Sequence, residues 1–373
     1  MDYHNNSTDY SSYRPAGYPV RHKRKVPFNP AIRVFPEYRE IIQRIRDLDS
    51  SLGEMVLSSR DYLDLINEAY ASNIHWSVKI EGNDLPLEEV RKLTTFFTSG
   101  ERKNEVASGP QQEILNHLYS YIMKNELRLP WSSEIIGNVH SMLLRDTGIN
   151  CPLGEFRTER ISVIGSNGFE YFIACPPESI SDEMDSLLEW LIASPFDEII
   201  TAALFFHEFE SIHPFQDGNG RTGRTLFHIL LQELGLKNSK LCKFEQKLLD
   251  PPEAYYTLLA YTDASGDYKP FIMYVAESLL SAYEEAFATF EEKDLIKSLD
   301  ESSKTIVKRA KKQKQFTILD ACGWIPGLGE QSIRSRLNHL IDIGLLEKIG
   351  RTRSTIFMFR DPLRDLFEKE NGA

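Results

Sequence analysis

The chain has 373 residues, of which 41% are hydrophobic and 26% charged, enough apolar material for more than one core. No stretch approaches the roughly 18 uninterrupted apolar residues of a membrane span, so no membrane insertion is expected. A net charge of −12 argues against a protein that coats nucleic acid by overall electrostatics, and the four scattered cysteines, Cys151, Cys175, Cys242 and Cys322, form no C-x-x-C pair. Neither a zinc site nor a disulfide framework is suggested, and a reducing cytoplasm fits best.

Residues 1–30 are polar and turn-rich without the apolar centre of a secretory signal, and read as a flexible tail. Apolar residues three and four apart, such as Ile41, Ile45 and Leu48, predict helices over 37–52, 60–78 and 86–97, which make 31–110 an N-terminal helical region. The same spacing predicts helices over 109–125 and 132–144. The period then changes. Ile161, Val163, Tyr171 and Ile173 alternate about a Ser166-Asn167-Gly168 turn, which predicts a β-hairpin. Helical spacing returns over 181–192, 198–212, 221–234, 252–262 and 270–291, closing a mostly α core at 111–292. Lys304, Lys308, Arg309, Lys311, Lys312 and Lys314 carry no acid between them and mark a linker or a basic face, and 293–315 is taken as a basic linker. Residues 316–373 read as a winged helix-turn-helix, with helices over 316–321 and 331–343 and a strand pair bent at Arg351-Thr352-Arg353.

The most informative stretch runs from His213 to Arg224, HPFQDGNGRTGR, between two apolar helices. Gly218 and Gly220 permit backbone conformations that turn consecutive N–H groups toward one oxyanion, and the helix that follows adds partial positive charge. Arg221 and Arg224 share a helical face where their forked donors suit neighbouring phosphates. Asp217 suits magnesium, which favours one or two carboxylates plus phosphate oxygens. His213, at the mouth of the loop, suits proton abstraction from an attacking hydroxyl. Taken singly each residue has an ordinary structural explanation; their joint occurrence at one loop does not.

This stretch resembles the Fic family pattern H-x-F-x-[DE]-G-N-G-R-x-x-R, with every specified position matched, and Gly154-Glu155-Phe156-Arg157 and Tyr171 to Pro177 resemble the family upstream. The resemblance implies a mostly α Fic-type core with a β-hairpin flap, here followed by the winged-helix domain. It implies AMP transfer from ATP to a Tyr, Thr or Ser hydroxyl of a protein. His213 would be the general base, Phe215 a packing residue, Asp217 the Mg2+ ligand, Gly218, Asn219 and Gly220 the anion hole, and Arg221 and Arg224 the β- and γ-phosphate ligands. Tyr255, Tyr256 and Leu259 resemble positions lining the adenine pocket, although Asp263-Ala264-Ser265 departs from the family there. Ile161, Ser162, Val163 and Ile164 would clamp the target as an added strand. Ser77 and Glu81 match the family's inhibitory motif [ST]-x-x-x-E-[GN], in which Glu81 would pair with Arg224 and so obstruct the γ-phosphate.

Two alternatives stay open. One is removal of AMP, with Glu81 orienting water. The other is an ATP-sensing transcriptional regulator that touches DNA through residues 332–339 and Arg351 to Arg353. The target protein, self-modification and a homodimer stay open as well.

Overall fold

The computed structural model describes residues 10–23, 25–99, 109–122, 127–164, 170–313, 315–350 and 355–360. Their chain begins with a short strand β1 (Val20–Arg21), then helices α1 (Pro36–Glu54), α2 (Ser59–Lys79), α3 (Leu87–Ser99), α4 (Pro110–Ile122) and α5 (Ser133–Leu144). The hairpin strands β2 (Ser162–Ile164) and β3 (Glu170–Ile173) follow, then α6 (Ile180–Ala193), α7 (Glu198–Ile212), α8 (Asn219–Glu233), α9 (Phe244–Leu249), α10 (Pro252–Ser265) and α11 (Lys269–Lys293). The last elements are α12 (Glu301–Lys312), α13 (Ile318–Trp324), α14 (Glu330–Asp342), β4 (Leu346–Ile349) and β5 (Ile356–Phe359).

Helix α7 is the axis of the larger core. It has apolar residues on every side, among them Ile199, Leu204, Phe205, Phe206 and Phe209, and it is accordingly buried all round. Its start is fixed by Asp197, whose carboxylate accepts from the Ile199 and Ile200 amides while also accepting from the Tyr38 hydroxyl at 2.6 Å. That last bond ties α1 to the helix that delivers the His213 loop. Helix α2 starts with Ser58 accepting from the Asp61 amide, and α8 packs beside α7 through Leu226, Phe227 and Leu230.

Two expectations are corrected. The described residues of the tail are folded onto the core: β1 pairs in parallel with β3, Val20 opposite Phe172, and Val20 and Phe28 are buried. The Tyr10 hydroxyl donates to Glu277 at 2.6 Å, and Tyr10 and Tyr13 meet Tyr274 and Tyr261 edge-on. Ring edges and charges do the holding there, so no apolar period marks it. The basic linker is likewise no linker. Ile306, Val307 and Ala310 of α12 are buried in a second core with Phe316, Leu337, Leu340, Leu346 and Phe357, and the basic residues lie on the other face of the same helix. Val56, from the turn between α1 and α2, belongs to this second core, and Lys311 donates to the carbonyls of Gly53 and Met55.

Strands β2 and β3 are antiparallel, with Val163 opposite Phe172, and the sheet order β1-β3-β2 leaves β2 at an edge. Ser162, Val163 and Ile164 form β2, while Ile161 precedes it and its carbonyl accepts from the Ala174 amide. The Ser166-Asn167-Gly168 turn, Lys314 and the bend at Arg351 to Arg353 lie outside the described residues.

Candidate active site

Helix α7 ends at His213, whose backbone takes the left-handed conformation at φ 53°, ψ 62°, and Pro214 stops the helix there. The loop is then held from below. Phe215 is fully buried and stacks on His140 at 3.9 Å, and both its backbone groups are bonded to the Asn219 side chain at 2.8 Å. The Asn219 amide group is thus committed to closing the loop, and its backbone N–H is what it has to offer an anion. Gly218 has φ 75°, and a β-carbon there would run into Leu144, so glycine is required. The first intrahelical bond of α8 is from the Thr222 amide to the Gly218 carbonyl, so the amides of Asn219, Gly220 and Arg221 face outward at a helix N-terminus, where an anion is stabilised.

Two residues missed in the sequence as site residues build the frame. His140 accepts from the Gly154 amide at Nδ1 and therefore donates through Nε2 to the Asp217 carbonyl at 2.9 Å. Arg157, quoted only for the family resemblance, donates from Nε to the His213 carbonyl at 2.8 Å and from its fork to the carbonyls of Glu159, Cys175 and Ile212. One guanidinium thereby ties the His213 loop to the end of the hairpin. Arg157 itself carries a guanidinium with no acid among these partners, and burial lowers its affinity for the proton.

The His213 ring has one nitrogen assigned by its partner. Nδ1 lies 3.1 Å from the Glu210 carbonyl, which can only accept, so the proton sits on Nδ1 and Nε2 keeps its lone pair. Burial lowers the imidazole's affinity for a second proton. A neutral, half-buried imidazole with a free lone pair is the form a general base needs.

The arginines are held differently. Arg221 donates to Glu113 at 2.5 Å and to Asp217 at 2.7 Å, and Glu113 also accepts from Asn83 at 2.6 Å. Arg224 donates from Nε to the Ser77 hydroxyl at 2.9 Å, and from Nη2 to the Ser77 carbonyl at 2.8 Å and to Glu81 Oε1 at 2.7 Å. The guanidinium is 3% exposed at the side chain and the Glu81 side chain 28%. Burial opposes the Glu81 charge, but Arg224 and Arg221 outweigh it and hold the carboxyl below the usual carboxylate range. A β-carbon on Gly220 would collide with this Glu81 oxygen and with Arg224, so the absence of a side chain there admits the pair. Asp217, by contrast, is 48% exposed at the side chain. One exposed carboxylate beside an anion-binding loop fits a magnesium ion that keeps most of its ligands as water and phosphate.

Tyr255 is corrected from pocket wall to core: it is 1% exposed and stacked on Phe206 with its ring turned away from solvent. Tyr256, beside it, is 47% exposed and packs its ring at a tilt against Tyr255. Asp263 is buried and accepts from Ser211 at 2.6 Å.

Residues 130–231 match the model of the Fic/DOC family. A protein named Protein adenylyltransferase Fic from Nematostella vectensis is 26% identical over 275 residues, covering 67% of this chain and 60% of that one. The protein of the same name from Drosophila melanogaster is 28% identical over 272 residues, covering 66% and 52%. The chain thus spans only about half to three-fifths of the length of these relatives. Among solved structures, a Fic family protein from Desulfovibrio desulfuricans G20 superposes with a TM-score of 0.60 at 22% identity, covering 89% of this chain and 98% of that chain. Fic-1 (residues 134–508) from C. elegans does so with 0.52 at 21%, covering 69% and 73%. These two likenesses show a shared fold.

Proposed function

We propose, from the premise that this chain carries a Fic domain, that it transfers AMP from ATP to a Tyr, Thr or Ser hydroxyl of a protein. The observation that carries the reading is one loop that opens with the His213 lone pair and closes on the amides of Asn219, Gly220 and Arg221 at the start of α8. Nε2 of His213 takes the hydroxyl proton as the oxygen attacks the α-phosphorus, the bond to the β-phosphate oxygen breaks, and pyrophosphate leaves. The α8 N-terminus and Arg221 stabilise the charge on the phosphates by position, without reorganisation during the step. Magnesium, held at Asp217, would neutralise the phosphates. The free edge of β2, Ser162 to Ile164, suits a target segment added as a strand.

In this reading Glu81 is a brake. It occupies the guanidinium that a γ-phosphate needs, and two anions on one arginine repel. The test is labelled-ATP transfer in cell lysate by wild type, Glu81→Gly and Glu81→Gly/His213→Ala. Labelled protein from the first variant and none from the second is expected; equal labelling by both variants would remove His213 from the chemistry.

A second reading draws on the same pair: burial lowers the affinity of His213 for a second proton, and the Glu81 charge works against that. The same pair could then orient water against an AMP–protein bond. Release of AMP from a modified target by wild type but not by Glu81→Gly would identify that activity. The DNA-binding reading has less behind it. On α14 Arg334 pairs with Glu330, and Arg336 with Asp300 at 3.3 Å, so these arginines already have carboxylate partners. Among the described residues no helix is long and apolar enough to cross a membrane, and all four cysteines are free, which supports a reducing location.

A further inference from the structure

Beside Ser211, in the last turn of α7, three side chains from distant segments converge. His22 Nε2 lies 2.8 Å from Glu183 Oε2, and Cys175 Sγ lies 3.4 Å from Glu183 Oε1. All three donor atoms fall within 4.8 Å of one another. The His22 and Glu183 side chains are 1% and 2% exposed, and Cys175 is 1% exposed. We propose that His22, Cys175 and Glu183 bind one divalent transition ion of the zinc type, with water in the fourth position.

Three arguments lead there. Zinc bonds of about 2.0 Å to nitrogen and oxygen and about 2.3 Å to sulfur place the ligand atoms of a tetrahedron roughly 3–4 Å apart, so the observed separations need only small side-chain shifts. An imidazole, a thiolate and a carboxylate together suit zinc over magnesium or calcium.

The second argument concerns the other nitrogen of His22. Nδ1 lies 2.8 Å from Ser211 Oγ, and Ser211 spends its own proton on Asp263 at 2.6 Å. Ser211 therefore accepts from Nδ1–H, and this outer hydrogen bond fixes the ring as it is fixed in metal-bound histidines. Nε2 then faces a carboxylate oxygen, which requires a proton or a cation between them.

The third is charge. One carboxylate and one thiolate offset the two positive charges of a divalent ion and a neutral imidazole adds none, so the bound site is neutral, and the protons that the ion displaces from these groups pass to solvent. The site would fasten residues 20–23 to the end of β3 and to α6. It would also steady the His213 loop, because the Cys175 carbonyl accepts from Arg157, which holds His213.

The test uses the full chain, stripped with chelator and titrated with cobalt(II), a spectroscopic stand-in for zinc. The expected result is one cobalt per chain with a thiolate-to-cobalt charge-transfer band, displaced by zinc and unaffected by magnesium. Cys175→Ser should lose the band, and Glu183→Gln and His22→Gln should lower the affinity at least tenfold. At one zinc concentration, the rise in Tm should be larger for wild type than for any of the three variants. A wild type without the band, or a band that persists in Cys175→Ser, overturns the proposal. Should Cys175→Ser fail to fold, X-ray absorption of zinc-loaded wild type decides: one sulfur in the coordination shell supports the site, and a shell of nitrogen and oxygen alone removes it.

Discussion

Glu208 and Glu210 stand two residues apart on α7, turned toward opposite sides of it, and their carboxyls are driven in opposite directions. Burial raises both. On the far side, His207 and Lys25 more than compensate, and Glu208 is held down to about 2 while accepting from Lys25 at 2.7 Å and Tyr268 at 2.6 Å. On the catalytic side, Glu210 Oε1 has no hydrogen-bond partner, the Arg224 charge is shared with Glu81, and the carboxyl is pushed up to about 8. The same residue type on one helix thus anchors the fold on one side and stays uncompensated on the other. What differs is whether the long-range partner is spent locally or already claimed: Lys25 serves Glu208, whereas Arg224 serves Glu81.

The largest test of the catalytic side is His213→Ala, which should cut AMP transfer by about 10²- to 10⁴-fold with little change in Tm or ATP affinity. A rate within tenfold of wild type in the Glu81→Gly background would end its role as base. The far side should respond the other way. Glu208→Gln leaves Lys25 facing a neutral partner in a buried setting and should cost roughly 3 kcal/mol of stability, read as a Tm drop, with the transfer rate per folded molecule kept. Below the usual carboxylate range this contribution disappears even in wild type. A group whose pKa is lowered on folding stabilises above its unfolded value of 4.5, and that stability is lost as pH falls through about 2. An unchanged Tm at neutral pH would break the contrast.

Glu81→Gly comes next. Freeing Arg224 should raise transfer by about ten- to a hundredfold, or about 1.4–2.8 kcal/mol. It should also lower the Tm without magnesium–ATP and recover it with magnesium–ATP, as the γ-phosphate replaces the carboxylate on Arg224. Equal rates in wild type and variant, on a target demonstrably modified, would return Glu81 to a helix-terminal surface residue.

How much of this can be read in the chain follows from the same contrast. His213 to Arg224 is contiguous, so its glycines, its two arginines and its histidine stand side by side in the sequence, and Ser77 and Glu81 keep helical spacing. Helices with apolar residues three and four apart are equally legible. His22, Cys175 and Glu183 come from three segments, each of which alone has an ordinary explanation, and the cysteine count points away from a metal. The 10–30 segment is held by tyrosine edges and buried charges that composition reads as polar coil. Helix α12 reads as a linker because its lysines hide the narrow stripe of Ile306, Val307 and Ala310. Tyr255 and Tyr256, adjacent in sequence, point one inward and one outward, a distinction a tyrosine pair on a helix does not announce.

The signal that bears most directly on the contrast is the pH dependence that Glu210 adds. Its folded pKa is raised from 4.5 to about 8, so between those values the folded chain holds a proton that the unfolded chain has lost. Stability must then fall as pH rises through that window, by no more than about 1.4 kcal/mol per pH unit, and level off above it. Glu210→Gln cannot lose a proton, so its stability should be flatter with pH over the same range, the two curves diverging most above pH 8. The groups facing Glu210 decide the upper limit: Arg224 favours its charge and Glu81 opposes it. Glu81→Gly removes the opposing carboxylate and leaves Arg224 free to turn to Glu210, so in that background the window should close from the top and the difference made by Glu210→Gln should shrink. Measured by denaturant unfolding between pH 5 and 9 in the four combinations, with far-side Glu208 intact throughout, parallel curves with and without Glu210→Gln would show that the carboxyl is already ionised and partnered in the fold, and that the two sides of α7 are built alike.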